Sequence, residues 1–272
     1  MQVYLNSSAG RAYAIHCHYR HCCHRHHSEQ NRGDRTALVT GENKGIGLAI
    51  AKGLAQRGFH VWITARDQLR GEEAVKQLQA EGLSVQLLMM DVADDVSVQQ
   101  AAAALSTATD RLDVLINNAG VLLDVSATPT QTRLSDMKAT FDVNLFGPVR
   151  VTQAFLPLLR AAKQARVVML GSGVGSLALI TDESSIYSSV NLLSYSASKV
   201  ALSAVTVCFA KELAAQGIKV NVVEPGHVKT DLNGNTGDLT PEEGAMPAIR
   251  MALAEADGPT GKFFGPQGQQ PW

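Results

Sequence analysis

The sequence predicts an α/β protein in which a doubly wound parallel sheet of about seven strands carries helices on both faces. Short apolar runs alternate with longer amphipathic stretches from Thr36 onward. The chain has 272 residues, of which 45% are hydrophobic, and this is enough for one full-sized core. We therefore expect one domain over residues 34–272.

The predicted strands are short apolar runs bounded by turn signals, as is typical of strands buried on both faces of a parallel sheet. They lie at 36–40, 60–65, 85–92, 113–119, 166–170 and 219–225, with an edge strand at 262–265. Between the strands, 46–56 and 71–80 place apolar residues three and four positions apart. This spacing predicts crossover helices that pack on the sheet.

Residues 1–33 differ in composition from the rest of the chain. They contain six of the eight histidines and three of the four cysteines, without sustained periodicity. We expect a disordered tail, because the segment lacks the apolar centre of a secretory signal. A metal site within 16–27 is the alternative, although its ligand spacing matches no closed zinc pattern. Only Cys208 lies elsewhere, which favours a reducing, cytoplasmic location over a disulfide framework.

The formal net charge of the chain is −1. Nucleic acids and anionic membranes usually require a clear basic excess in the proteins that bind them. No apolar run approaches the roughly 18 residues that a membrane span requires. We therefore expect a soluble protein with neither of these partners.

Three glycines, Gly41, Gly45 and Gly47, lie between the first strand and the first helix. A parallel sheet binds phosphate at this point, because glycine lets the backbone approach a ligand and the helix N-terminus attracts an anion. The spacing G-x-x-x-G-x-G is neither G-x-G-x-x-G nor a P-loop. Taken alone, the loop also fits a tight turn without a ligand.

Four motifs together resemble the classical short-chain dehydrogenase/reductase family, most specifically its NADPH-dependent carbonyl reductase-like members. They are TGENKGIG from Thr40, NNAG from Asn117, YSASK from Tyr195 and PGHVKTD from Pro225. The resemblance covers about residues 36–272. It implies a Rossmann-type fold with a dinucleotide-binding half (about 36–120) and a catalytic half (about 121–272). It also implies hydride transfer from NADPH to a small-molecule carbonyl substrate, without a metal.

Tyr195 and Lys199 are the predicted catalytic pair. They stand four positions apart, so on a helix they share one face. A neighbouring ammonium lowers the pKa of a phenol, which lets Tyr195 act as the general acid that protonates a carbonyl oxygen. In the resembled family the lysine also holds the nicotinamide ribose, so Lys199 is expected to do both. The alternative is an exposed helix face without function.

The resemblance implies two further catalytic residues. Ser172 follows the strand at 166–170 and fits the pattern S-x-x-G, and its hydroxyl is expected to bond the substrate oxygen. Asn144 corresponds to an asparagine that holds a water in a proton relay, and a structural hydrogen-bond network is the alternative. Tyr195 follows Ser172 by 23 positions, more than in short-loop members, which predicts an inserted flap at 180–193. Tyr187 lies in that insert and is not assigned to catalysis.

The residues after the second strand indicate the cofactor. An acid there would favour NAD, whereas this strand ends in Thr64-Ala65-Arg66. Arg66 can pair with a 2′-phosphate and Lys44 lies within reach, so NADPH is the predicted cofactor and NADH the alternative. The complete predicted cofactor-binding set is Gly41, Asn43, Lys44, Gly45, Ile46, Gly47, Arg66, Asp91, Val92, Asn118, Ala119, Gly120, Tyr195, Lys199, Pro225, Gly226, Val228 and Thr230.

The substrate is predicted only by class. The segment 231–248, expected to fold over the substrate and close on binding, has no basic cluster for an acyl carrier protein or a phosphorylated compound. Small apolar aldehydes or ketones are the simplest class. Reduction of a 3-oxoacyl thioester and oxidation of a secondary alcohol are alternatives, and a non-catalytic dinucleotide sensor or a methyltransferase is more remote. Helices over 140–159 and 195–216 are the usual dimer faces of the family, so a homo-oligomer is expected unless the insert obstructs them.

Overall fold

Within residues 35–41 and 44–272, which the computed structural model describes, eight strands form one sheet. They are β1 (Arg35–Val39), β2 (Phe59–Ala65), β3 (Val85–Met89), β4 (Val114–Asn117), β5 (Arg166–Leu170), β6 (Lys219–Val223), β7 (Phe263–Gly265) and β8 (Gly268–Gln269). Their order across the sheet is β3-β2-β1-β4-β5-β6-β7-β8. All neighbours pair in parallel except β7 and β8, which are antiparallel. The predicted sheet is confirmed. The strand expected at its edge is β7, and β8 pairs with β7 and forms the edge instead.

Eight α-helices lie in the described part of the chain. They are α1 (Gly45–Ala55), α2 (Gln68–Ala80), α3 (Asp95–Ala108), α4 (Leu134–Phe141), α5 (Gly147–Ala161), α6 (Leu177–Thr181), α7 (Leu193–Leu213) and α8 (Pro241–Ala252). A π-helical turn, Asp142–Phe146, joins α4 to α5. The predicted helix at 71–80 begins earlier, at Gln68, because the Asp67 side chain accepts the amide of Arg70 and caps it.

The two faces of the sheet bury different side chains, as β1 illustrates. Leu38 lies in a buried cluster with Phe155 of α5. Its neighbours Ala37 and Val39 lie in a second cluster with Ile50 of α1. Because both faces are covered, the consecutive residues Ala37, Leu38 and Val39 are all apolar, which explains why this part of the strand shows no alternation.

The sheet order reverses direction at β1, which has β2 on one side and β4 on the other. The connection after β1 therefore runs to one side and the connection after β4 to the other. This divergence opens a crevice at the carboxyl ends of the strands, where sheets of this type bind their ligands.

Helix α7 and the turn after it, 193–216, have the length and apolar composition of a membrane-spanning helix. This differs from the expectation that no apolar run approached that length. The helix belongs to the core of the domain, because Leu202, Ala210 and Leu213 lie in the same buried cluster as Leu38. Its packing accounts for its composition.

The segment 231–248, expected to fold over the substrate as a whole, divides into two parts. From Pro241 onward it is helix α8, whose Ala245 and Ala248 are buried in the core. Only the part before Pro241 is irregular, with a short turn at Asp231–Asn233 and a single bridge between Val228 and Leu239. The expectation is therefore corrected, because the apolar residues of the second part pack beneath the sheet.

Candidate active site

The glycine loop between β1 and α1 passes close to the loop after β4. Gly41 and Gly45 have φ angles of +66° and +64°, in the left-handed region that favours glycine. A Cβ atom at Gly41 would lie 2.6 Å from the Cα atom of Ala119. A side chain at this position would separate the two loops. The predicted ligand residue Asn43 lies outside the described residues.

Two threonines hold these loops together. The Thr64 hydroxyl accepts the amide of Gly41 at 3.0 Å. The Thr40 hydroxyl accepts the amides of Asn118 and Ala119 at 3.0 and 3.2 Å. The Asn118 side chain donates in turn to the carbonyl oxygens of Thr40 and Gly41, at 3.0 and 2.8 Å. The sequence analysis assigned no role to these two threonines, and their signal was a hydroxyl at or near the carboxyl end of a buried strand.

The N-terminus of α1 differs from that of several other helices. The side chains of Asp67, Asp94 and Thr240 accept backbone amides at the starts of α2, α3 and α8. No side chain among the described residues caps α1, and its first turn contains no acid. Uncapped amides at a helix N-terminus, together with the helix dipole, form an anion site. The start of α1 is therefore suited to the pyrophosphate of a dinucleotide.

Two cavities that share Lys44 and Gly120 follow the crevice. The first, of about 210 Å³, is lined by the predicted Gly41, Lys44, Arg66, Asp91, Val92, Ala119 and Gly120. The second, of about 510 Å³, is lined by the predicted Lys44, Gly45, Ile46, Gly47, Asn118, Gly120, Tyr195, Lys199, Pro225 and Thr230. The structure thus brings most of the predicted cofactor-binding residues together, on both sides of the uncapped helix start.

Of the predicted cofactor-binding residues that the structure describes, Gly226 and Val228 lie outside both cavities, as do the predicted catalytic residues Ser172 and Asn144. The Val228 side chain is buried against Gly244, where a Cβ atom would lie 2.4 Å from its Cγ2 atom. Gly226 has a φ angle of +79° and turns the chain after β6. Because the apolar side chain of Val228 packs in the core, a contact of this residue with the cofactor would involve its backbone, and the predicted contact stays a prediction.

The basic residues that line the first cavity differ in exposure and in their ion-pair partners. Arg66 is exposed, and Arg70, which the sequence analysis did not select, also lines the cavity. Lys44 forms an ion pair with Asp231, which holds the pKa of that carboxyl below its usual range. Both side chains are more than half exposed, so this ion pair is weak. A phosphate at Lys44 would have to compete with Asp231.

The predicted catalytic residues come together between β5 and α7. Lys199 Nζ donates to the carbonyl oxygen of Leu170 at 2.7 Å and lies 5.6 Å from the centre of the Tyr195 ring. Ser172, two residues after Leu170, hydrogen-bonds to Tyr195. The hydroxyl, the phenol and the ammonium therefore form one cluster, and Tyr195 and Lys199 line the second cavity.

Burial shifts the two catalytic pKa values in opposite directions. Desolvation raises the pKa of Tyr195 to about 12, although the Ser172 hydrogen bond opposes this shift. Desolvation lowers the pKa of Lys199 to about 8. The lowered tyrosine pKa expected from the neighbouring ammonium is therefore not found, because burial outweighs the attraction and Lys199 donates to Leu170 instead. At neutral pH Tyr195 is protonated and Lys199 carries its charge.

Asn144 lies in the π-helical turn between α4 and α5 and is fully buried. Its Oδ1 atom accepts the amide of Val121 at 2.8 Å, and its Nδ2 atom donates to the Val121 carbonyl and the Ser198 hydroxyl at 2.9 and 3.1 Å. These bonds form the structural network that was the alternative for this residue. Turns of this type often occur at functional sites. The proton relay stays a prediction.

The insert before Tyr195 lies beside Ser172, since its residue Tyr187 packs against Gly173. Tyr187 also donates a hydrogen bond to Glu224, which follows β6. Sequence reasoning missed Glu224, although an acid directly before Pro225 at the end of an apolar strand was a visible signal.

Comparison with known proteins agrees with this geometry. A family model described as short chain dehydrogenase matches residues 35–239. The chain belongs to the short-chain dehydrogenase family. A short-chain dehydrogenase of Penicillium roqueforti (strain FM164), anuI, is 36% identical over 234 residues, with 84% of this chain and 91% of the relative covered. Carbonyl reductase [NADPH] 1 of Macaca fascicularis is 34% identical over 279 residues, with 88% and 99% covered.

The fold of this short-chain dehydrogenase also matches solved structures. An NADPH-bound carbonyl reductase from chicken fatty liver superposes with a TM-score of 0.77 at 28% identity, covering 88% of this chain and 99% of that one. The predicted family and fold are confirmed. This short-chain dehydrogenase is an NAD(P)-dependent oxidoreductase that acts on CH–OH and C=O groups of small molecules. Its homo-oligomeric state and cytoplasmic location stay predictions.

Replacing Gly47 by Ala should weaken cofactor binding. The new Cβ atom would lie 2.5 Å from Asn118 Nδ2 and 2.7 Å from the Gly41 carbonyl oxygen, so the loop that forms the anion site must move. We expect the Kd for NADPH to rise about tenfold or more, equivalent to at least ~1.4 kcal/mol. Fluorescence titration measures this. Gly53→Ala in the same helix is the control, because its Cβ atom meets the flexible end of Ile249 and not the loop. Equal Kd values for the two variants would contradict the proposed phosphate site.

The charge on Lys199 should appear in the pH dependence of the enzyme. Its pKa is lowered to about 8, so the free enzyme loses the ammonium as the pH rises through this value. We expect kcat/KM for NADPH to be constant near neutral pH and to fall about tenfold per unit above about pH 8. Loss of the Tyr195 proton occurs only near its pKa of about 12 and does not contribute in this range. A profile that stays flat to about pH 10 would show that the charge on Lys199 is not required.

Proposed function

We propose that this enzyme reduces an aldehyde or ketone to an alcohol with NADPH, and that Tyr195 is the general acid. The observation that carries this proposal is the state of Tyr195. It lies in the wall of a cavity beside the uncapped start of α1, hydrogen-bonds to Ser172 and is protonated at neutral pH. A protonated phenol at this place can give a proton to an oxygen that becomes negative.

Each residue of the cluster has one task in this reaction. When bound, NADPH supplies the hydride that adds to the carbonyl carbon. The free amides of α1 bind the pyrophosphate, and Lys199 holds the ribose. Tyr195 gives its proton to the carbonyl oxygen, and the Ser172 hydroxyl donates a hydrogen bond to the same oxygen. The product is an alcohol, and Tyr195 regains its proton from solvent by the relay proposed through Asn144.

Tyr195 is protonated at neutral pH, which is the form that carbonyl reduction requires. The same residue would accept the proton in the reverse reaction, so its pKa does not decide the direction of turnover. Alcohol oxidation stays the second candidate, because a relative in Arabidopsis thaliana is named (+)-neomenthol dehydrogenase.

The cavity beside Tyr195 supports a small apolar substrate. Leu170, Pro225, Leu232 and Pro241 contribute apolar surface to its wall. The names of the relatives agree with this class, since they include carbonyl reductase and salutaridine reductase. Three lysines also line the cavity, but Lys44 pairs with Asp231 and Lys199 donates to the Leu170 carbonyl, which leaves Lys229 as the remaining positive charge in this wall.

The arginines of the first cavity support NADPH over NADH. Arg66 and Arg70 both line it, and either guanidinium can pair with a 2′-phosphate through two parallel hydrogen bonds. Asp67 also lines the cavity, lies 3.7 Å from Arg70 Nε through its Oδ2 atom, and opposes this preference. Lys44 adds a third positive charge once its ion pair with Asp231 opens.

Replacing Tyr195 by Phe tests the acid assignment. We expect kcat for carbonyl reduction to fall by a factor of about 10² or more, because the proton donor is lost while the ring remains. The Kd for NADPH should stay within about twofold, because the phosphates are held by α1 and the ribose by Lys199. Turnover is followed by the consumption of NADPH with a panel of aldehydes, ketones, quinones and 3-oxoacyl thioesters. Unchanged turnover would overturn the assignment.

Replacing Arg66 by Asp tests the cofactor preference. The substitution introduces a repulsive charge where the 2′-phosphate is expected, so the ratio of kcat/KM for NADPH to that for NADH should fall at least about tenfold. The matched control is Lys76→Asp, which makes the same change of charge at an exposed position of α2 that does not line the cavity. If both variants shift the ratio equally, the effect belongs to the overall charge and Arg66 does not bind the phosphate.

A further inference from the structure

Glu224 is a buried carboxylate that the proposed chemistry does not use. It directly follows β6 and only 4% of its surface is exposed. Burial raises the pKa of its carboxyl, and hydrogen bonds oppose that shift. A buried carboxylate costs free energy unless its oxygens are bonded. Its hydrogen-bond partners therefore show what it holds in place.

The partners of Glu224 come from three segments that border Tyr195. The Tyr187 hydroxyl of the insert donates to its Oε2 atom at 2.6 Å. The amides of Gly173 and Gly226 also hydrogen-bond to the carboxylate. Gly173 directly follows Ser172, and Gly226 begins the turn that leads to the cavity wall at Thr230. One side chain thus connects the insert, the serine loop and the loop after β6.

Tyr187 packs directly on the serine loop. A Cβ atom at Gly173 would lie 2.1 Å from the Cζ atom of Tyr187, so the aromatic ring rests on the backbone next to Ser172. Tyr187 also lies close to Tyr195. Burial is the main cause of the raised pKa of Tyr187, and the Tyr195 phenol contributes to it. The Tyr187 hydroxyl is already donated to Glu224, which makes it unsuited to give a proton to a substrate.

We propose that Glu224 and Tyr187 are a positioning pair that holds the Ser172 hydroxyl in place for carbonyl reduction. This inference rests on the proposed function of the site. The carboxylate fixes the peptide after Ser172 through the Gly173 amide, and the Tyr187 ring closes over the same peptide. Tyr187 thereby links the insert to the chemistry without touching the reacting atoms. Loss of either partner frees the serine loop, and Ser172 then misses the substrate oxygen for part of the time.

The experiment combines Tyr187→Phe, Glu224→Gln and the double variant. Tyr187→Phe keeps the ring on Gly173 and removes only the bond to the carboxylate. With benzaldehyde as the probe, we expect kcat to fall about tenfold, while the Kd for NADPH and the KM for the probe change less than about twofold. Glu224→Gln should lower kcat at least as much. The double variant should be no worse than Glu224→Gln alone, because both changes remove the same contact. If the losses in kcat of the two single variants add up in the double variant, Tyr187 and Glu224 do not act as a pair.

The decisive measurement is the effect of Tyr187→Phe on kcat in an enzyme that lacks the Ser172 hydroxyl. In a Ser172→Ala background, Tyr187→Phe should leave the remaining kcat unchanged, since the group that it positions is gone. A general structural role would lower that kcat as well, and this result would overturn the proposal. The control is Ser184→Ala, which removes a hydroxyl of the same insert that bonds Asp182 and does not reach Glu224. It should behave like the wild type.

The failure of the proposed function is distinguishable from the failure of this inference. If the wild-type enzyme consumes no NADPH with benzaldehyde or any other carbonyl compound of the panel, the proposed function is wrong and the positioning role falls with it. If the wild type is active and Tyr187→Phe equals it in kcat, only the positioning role is wrong.

Discussion

The active site depends on one hydrogen bond, from Lys199 Nζ to the carbonyl oxygen of Leu170. Leu170 ends β5 and Lys199 lies in the first half of α7, so the bond joins the helix that carries Tyr195 to the strand that leads to Ser172. A buried ammonium is costly without a partner, and Lys199 is only 4% exposed. The side chain therefore keeps this contact. The distance between Tyr195 and Ser172 then follows from geometry, because Tyr195 is one helical turn away from Lys199.

Burial of this cluster determines which protonation states are available. Desolvation favours the neutral form of both groups, so the pKa of Tyr195 rises and that of Lys199 falls. The pKa of Tyr195 moves further above pH 7, and the pKa of Lys199 moves closer to pH 7. Near pH 7 the site consequently holds a phenol that keeps its proton beside an ammonium that is close to losing its own. Because Lys199 is buried, its positive charge acts more strongly on a nearby oxygen that becomes negative than it would in bulk water.

The sequence was sufficient for the features that depend on local patterns. The apolar runs predicted the strands, and 166–170 has the bounds that β5 shows. The Tyr195–Lys199 spacing predicted the shared helix face. What the sequence could not supply were contacts between distant segments, such as the bond between Tyr187 and Glu224, which are 37 positions apart. The direction of the Tyr195 pKa shift was wrong for the same reason, since burial depends on the whole fold while the lysine was visible four residues away.

The backbone amides at the carboxyl edge of the sheet fall into two groups. Those that orient loops are bonded by side chains from other segments, and the acceptors are Thr40, Thr64, Asn144 and Glu224. The amides of the first turn of α1 have no such side chain among the described residues. Helices α4 and α7 also begin without a side-chain cap, so the missing cap alone does not identify a ligand site; the start of α1 is distinguished by its place in the wall of the second cavity. At this edge of the sheet, polar side chains therefore hold the loops around the crevice in place. No side chain among the described residues occupies the amides at the start of α1, which an anionic group can bind. Donors held by a bonded frame can bind a phosphate with little reorganisation, and because Lys44 and Gly120 line both cavities, the proposed phosphate site adjoins the cavity that contains Tyr195 and Lys199.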